Sequence, residues 1–150
     1  MRRMMIALMS LLPLTSAAVA SGGIGCEGSA GKMRFSIESG VTRGMGNPVF
    51  QFKGTIATSD KAIQPDLRKV EVTDEHLAQY WLDGKELKMV VYREREAGDH
   101  GYVQLTMITR AKEEGTYAGR FDVSYFESKD IAAPEGKTIE VSGKVNCFVE

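Results

Sequence analysis

From Met33 onward, apolar and polar residues alternate with the period of two that marks half-buried β-strands. Met33, Phe35 and Ile37 alternate with Arg34, Ser36 and Glu38. After the turn-rich RGMGNP, Phe50, Phe52 and Ile56 alternate with Gln51, Lys53 and Thr55. The loop ATSDKAIQPD leads to a short strand that puts Val70 and Val72 on one side. Leu87, Met89 and Val91 then oppose Glu86, Lys88 and Tyr92, and Val103, Leu105 and Met107 oppose Gln104, Thr106 and Ile108. In the last two alternating runs Phe121, Val123 and Tyr125 oppose Arg120, Asp122 and Ser124, while Val141, Val145 and Cys147 oppose Ser142, Lys144 and Asn146.

Between these runs, residues 74–82 fit two elements. Thr73 or Asp74 is placed to cap a two-turn helix with Leu77, Tyr80 and Trp81 on one face and Gly84 as its stop. The same residues also fit a strand that turns at Asp83-Gly84 into the next one, and the capping signal favours the helix. About seven strands with polar loops, and no strand-helix-strand repeat, predict an all-β fold. The expectation is a single antiparallel β-sandwich or small β-barrel, with room for one short helix.

The first twenty residues break the alternation. Arg2 and Arg3 precede an apolar run from Met4 to Leu14, and Ala18 and Ala20 put small side chains where a signal peptidase requires them. The run is too short to span a bilayer and is interrupted by Pro13. Residues 1–20 are therefore expected to be a cleavable secretory leader cut before Ser21. The Gly/Ser-rich stretch 21–31 is expected to be a flexible lead and residues 32–150 a single β domain, with no transmembrane segment once the leader is gone. The localisation that follows is periplasmic or secreted.

Two cysteines in an exported chain point to a disulfide between Cys26 and Cys147, tying the glycine-rich lead to the last strand. A rival use of Cys26 is lipid anchoring, since Gly23-Ile24-Gly25-Cys26 has a small residue before the cysteine. Gly23 stands where that pattern wants a leucine-like residue, and lipidation would strand Cys147, so the bridge is the preferred reading.

Charge narrows the function further. The chain has 19 basic and 20 acidic residues, a net charge of −1, and loss of Arg2 and Arg3 with the leader makes the remainder more acidic still. No basic tail or run appears, which argues against a nucleic-acid partner.

His76 and His100 each follow a carboxylate, the minimum for a general base in a hydrolase-type site. Neither belongs to a metal-binding or nucleophile motif, so no catalytic residue, metal or cofactor is implied. Aromatic residues cluster instead. Tyr80, Trp81, Tyr92 and Tyr102 are the candidate anchors for a partner, and Val90, Tyr92 and Ile108 fall on the polar side of their strands. A helix over 74–82 would cover that patch. The leading functional expectation is a non-enzymatic exported domain that binds a protein or envelope component. A barrel carrying an apolar ligand among Phe50, Phe52, Met89, Leu105 and Phe121 is the alternative.

Overall fold

A computed structural model describes residues 21–42, 46, 48–128 and 135–150. The leader expected at residues 1–20 lies outside the described residues. The described chain forms nine strands: β1 (Ser21–Ala30), β2 (Met33–Thr42), β3 (Val49–Thr58), β4 (Lys69–Thr73), β5 (Leu77–Leu82), β6 (Glu86–Glu94), β7 (Gly101–Glu113), β8 (Thr116–Glu127) and β9 (Lys137–Val149). All pairings are antiparallel, in the order β4-β3-β2-β1-β9-β8-β7-β6-β5. Two meanders, β1 to β4 and β5 to β9, are thus joined into one nearly closed antiparallel barrel by the pairing of β1 with β9.

Two of the nine strands correct the sequence reading. Ser21–Ala30 is not a flexible lead. It is β1, a central strand hydrogen-bonded on both sides. Its glycines carry no alternation signal because their task is to admit side chains from neighbouring strands. A Cβ on Gly28 would lie 2.5 Å from the Phe35 ring and 2.9 Å from that of Phe121, and one on Gly143 of β9 would lie 2.8 Å from Phe121. Phe35 stands opposite Gly28 and Phe121 opposite Gly143, so the two rings meet edge to face at 5.0 Å across the two strands. Such a pair contributes about 0.5–1.5 kcal/mol beyond the area it buries.

The second correction is β5. Residues 77–82 are a strand, and the capping signal at Thr73 is used by a single 3-10 turn, Asp74–His76. In that turn the Thr73 amide donates to His76 Nδ1 at 3.0 Å. The Asp74 carboxylate turns back to accept from the Phe52 amide at 2.7 Å. This turn occupies the point where β4 stops covering β3, which leaves the chain free to start a new edge rather than continue as a helix.

Inward-facing residues of every alternating strand form one core, including Ile37, Phe52, Ile56, Met89, Leu105 and Val123. Phe50 departs from its expected place. The register of β2 with β3 slips between Glu38 and Gly40, where Gln51 adopts φ +52°. This bulge turns Phe50 to the outer face, where it lies on Gly40 at 37% exposure, while Phe52 stays inside. Buried Ser39 holds the bulge by donating to the Phe50 carbonyl at 2.9 Å.

The remaining opening, between the edges β4 and β5, is bridged by side chains. Arg93 of β6 donates to the Glu71 carbonyl of β4. Tyr80 of β5 accepts from the Val49 amide of β3 at 3.3 Å. At one end of the opening, the loop after β3 buries Ile63 and Leu67 against the core. Arg95 locks that loop in place: its guanidinium contacts both Asp66 carboxylate oxygens, at 2.6 and 3.2 Å, and donates to the Asp99 carbonyl at 2.7 Å. The Arg95 side chain is only 9% exposed.

Cys26 and Cys147 stand directly opposite one another on β1 and β9 and are joined by a disulfide. The bridge closes a loop with a sequence separation of 121. Replacing both cysteines by serine is expected to lower unfolding free energy by up to about 4 kcal/mol in urea titrations, and an unchanged midpoint would contradict a structural role for the bridge. The Arg95 contact holds the Asp66 carboxyl below its ordinary pKa. Its contribution is therefore present above the unfolded-state value of about 3.9 and is lost as the pH falls through the lower folded-state value. The stability difference between wild type and Asp66→Asn should be full at neutral pH and fade in that acid window. A difference independent of pH would show that the ion pair does not act.

Candidate functional site

Residues directly opposed across antiparallel strands share one side of the sheet, so the register sets what the outer face presents. Trp81 of β5 opposes Lys88 of β6, which opposes Ile108 of β7. One row further along, Gln79 opposes Val90, which opposes Thr106. Together these outward residues line an open groove of about 580 Å³. Trp81 is 56% exposed and Ile108 39%. No helix covers them, because residues 77–82 are β5 itself, and the second apolar patch outside the core is accessible.

Local geometry orients Trp81. Asp83 starts the β5–β6 turn by accepting from the amides of Glu86 and Lys85, at 2.8 and 2.9 Å. Those bonds, with a contribution from the Trp81 indole, hold its carboxyl below the usual range. Gly84 completes the turn at φ +80°, a conformation that favours glycine. Trp81 stands one residue before the end of β5, and its ring remains in solvent.

Tyr80, next in sequence, faces the other way. It opposes Met89 on the core side of β5, and its hydroxyl reaches across the barrel opening to Val49. It therefore belongs to the seam between the sheet edges and supports β5 from behind.

Tyr92 and Tyr102 form a second cluster at the far end of the same outer face. Their rings are 5.2 Å apart, and Tyr102 stacks on Phe126 of β8 at 5.2 Å. His100 packs against Phe126 at 5.4 Å, and its Nδ1 lies 2.9 Å from Glu94 Oε1. Burial among these rings, and then the charge of Glu94, push the Tyr92 phenol above its ordinary pKa. The sequence pattern does not mark Phe126 and His100 as members of this cluster. Phe126 sits in the last alternating position of β8, and only the register places it over Tyr102.

The four candidate anchors thus separate into an exposed tryptophan, a seam tyrosine and a half-buried tyrosine pair. Val90 and Thr106 lie between Trp81 and Tyr92 on the shared face.

The histidines are used structurally. His76 serves its 3-10 turn and approaches Glu75 at 3.9 Å, while His100 joins the aromatic cluster. Among the described residues, no group of three or more His, Cys, Asp or Glu side chains is arranged to hold a metal ion. The interior expected of an apolar-ligand carrier is occupied by its own proposed lining, since Phe52, Met89, Leu105 and Phe121 are each no more than 1% exposed. None of the clefts described on the surface is lined by Phe52, Leu105 or Phe121. No helix among the described residues is long and apolar enough to cross a membrane.

No protein-family model, curated protein or solved structure matches the chain.

The contrast between face and core is measurable. Trp81→Ala should change unfolding free energy by less than about 0.5 kcal/mol, as expected of an exposed side chain. Phe121→Ala should cost about 3–5 kcal/mol. A large loss from the Trp81 variant in urea unfolding would mean that this ring is part of the core.

Proposed function

We propose that the protein is an exported, non-enzymatic β domain of the periplasm that binds a protein component of the cell envelope through β5 and the adjoining outer face of β6 and β7. The observation that carries the reading is Trp81, exposed on an edge strand that has no charged residue and sharing an outer groove with Ile108 across Lys88.

The two edges of the sheet make the contrast. β4 has five residues and carries Lys69 and Glu71, which pair at 3.5 Å, while Arg93 occupies the Glu71 carbonyl. These are the usual means of blunting an edge against further strand pairing. β5, with the sequence LAQYWL, has no charged residue and no proline. An uncharged edge next to an apolar groove suits a partner that adds an extended segment to the sheet and places a side chain beside Trp81. Stable recognition requires roughly 1,000 Å² or more of total buried surface, which a strand addition plus the β6–β7 face can supply.

Export is supported by the charged, apolar and small-residue zones of residues 1–20. A bridge between Cys26 and Cys147 suits an oxidising compartment.

A photo-reactive side chain at exposed Gln79, introduced in cells producing the full chain, provides the test. The expected result is one discrete adduct in the periplasmic fraction, abolished by Trp81→Ala combined with Ile108→Asp and absent when the reporter stands at Glu140 on β9. Adducts that are equal from both positions, or that survive the double substitution, would refute binding through this face. Retention of the chain in the cytoplasm with free thiols would refute export.

A further inference from the structure

The register gathers a row of cations that is invisible along the chain. On the outer face Lys69 of β4 opposes Ala57, which opposes Arg34, which opposes Ser29 of β1. Across the β1–β9 junction Ser29 opposes Lys144, and Lys144 opposes Arg120 of β8. The row then continues through Ile108 and Lys88 to Trp81. Every cation from Lys69 to Arg120 points outward from its own strand.

Three properties separate this row from ordinary surface charge. First, it is largely unpaired: among the described residues, no carboxylate lies within ion-pair distance of Arg34, Lys144 or Arg120. Second, Lys144 and Arg120 are direct cross-strand neighbours, and like charges in that position destabilise a sheet. A chain with more acidic than basic residues has carboxylates to spare, yet none neutralises this pair. Third, the cations alternate with small residues. Ala57 and Ser29 leave a trough of about 640 Å³ between Lys69, Arg34 and Lys144, and it also offers the Ser36 hydroxyl, while that of Thr55 donates to Glu71 at 2.7 Å.

Arg34 and Lys144 stand on strands two apart, about 10 Å between backbones, with the Ser29 hydroxyl between them. Side chains of that length can converge on a tetrahedral oxyanion above Ser29, the arginine offering two parallel donors and the lysine a mobile point charge. Glu27 is an acidic group in the trough wall and makes no ion pair with either.

We propose that this trough binds phosphate groups of a polyanionic ligand, with Arg34 and Lys144 as the principal contacts and Lys69 and Arg120 as flanking ones. The inference stands on the register and charge of β1, β2, β8 and β9. It does not depend on export or on the Trp81 face.

The test uses the full chain, purified with its disulfide intact, titrated calorimetrically with inorganic tripolyphosphate and, separately, with vesicles of phosphatidylglycerol in phosphatidylcholine. Binding should weaken as salt rises, because exposed charges are screened over about 8 Å at physiological ionic strength. Arg34→Gln and Lys144→Gln should each reduce affinity roughly fivefold, Glu27→Gln should increase it, and Lys112→Gln, at the far end of β7, should leave it unchanged. Trp81→Ala should also leave it unchanged, which keeps this result separate from the partner-binding surface. Lys144→Gln should raise the Tm while lowering affinity, since it relieves the like-charge pair. Binding to tripolyphosphate alone identifies a soluble phosphate chain as the ligand, and Lys144-dependent binding to vesicles identifies lipid headgroups. Absence of binding to both, affinity unchanged by the Arg34 and Lys144 substitutions, or loss of affinity accompanied by a lowered Tm would overturn the proposal.

Discussion

The pairing of β1 with β9 is the constraint on which the rest of the molecule depends. Without it, the chain is two separate meanders, each with a long unpaired edge and half of a core. With it, Phe35 from one meander meets Phe121 from the other over Gly28 and Gly143, and the inward residues of nine strands enclose a single interior. The disulfide sits in this junction at directly opposed positions, so it fixes the register that brings the two rings together. A one-residue slip would carry every side chain of β1 to the wrong face and set the rings against backbone that has no room for them.

The same junction determines what the surface can do. Lys144 and Arg120 belong to one meander and Arg34 and Lys69 to the other, and only β1 between them makes a continuous row. The opposite region of the sheet, where β5 ends, is built on a different principle. There β4 and β5 are the two end strands of the sheet among the described residues, and hydrogen bonds from side chains such as Arg93 and Tyr80 bridge the gap between them. A closed junction on one side and a bridged seam on the other leave β5 as an edge whose outer face carries Trp81. Phosphate recognition and partner binding would then occupy separate stretches of one wall, the trough over β1–β4 and β9 and the groove over β5–β7.

Much of this architecture was legible in the sequence where side chains report on burial. The alternation in β6, β7, β8 and β9 named the inward residues correctly, and the two cysteines were placed as partners. What escaped has specific causes. β1 reads as a lead because Gly25 and Gly28 make room for Phe148 and Phe35, so its contribution to packing is the absence of side chains. β5 reads as a helix because a true capping signal at Thr73 precedes it, and because a register slip between Leu77 and Gln79 spoils its period. Phe50 reads as inward because nothing in the sequence marks the bulge at Gln51. The aromatic anchors were found by type but not by arrangement, since Tyr80 and Trp81 are adjacent and so face opposite sides of the strand. The cationic row could not be found at all by scanning along the chain. It runs across the strands, and Arg34 of β2 comes near Lys144 of β9 only because β1 pairs with both strands.

Amide hydrogen exchange of the disulfide-bonded protein reads the backbone pairing of β1 with β2 and β9 residue by residue. The amides of β1 that pair with β2 and β9, from Ile24 to Ser29, should be protected to the same extent as those of Phe121 and Val123 in β8. Exchange of that segment at the rate of an open chain, while β8 stays protected, would contradict it.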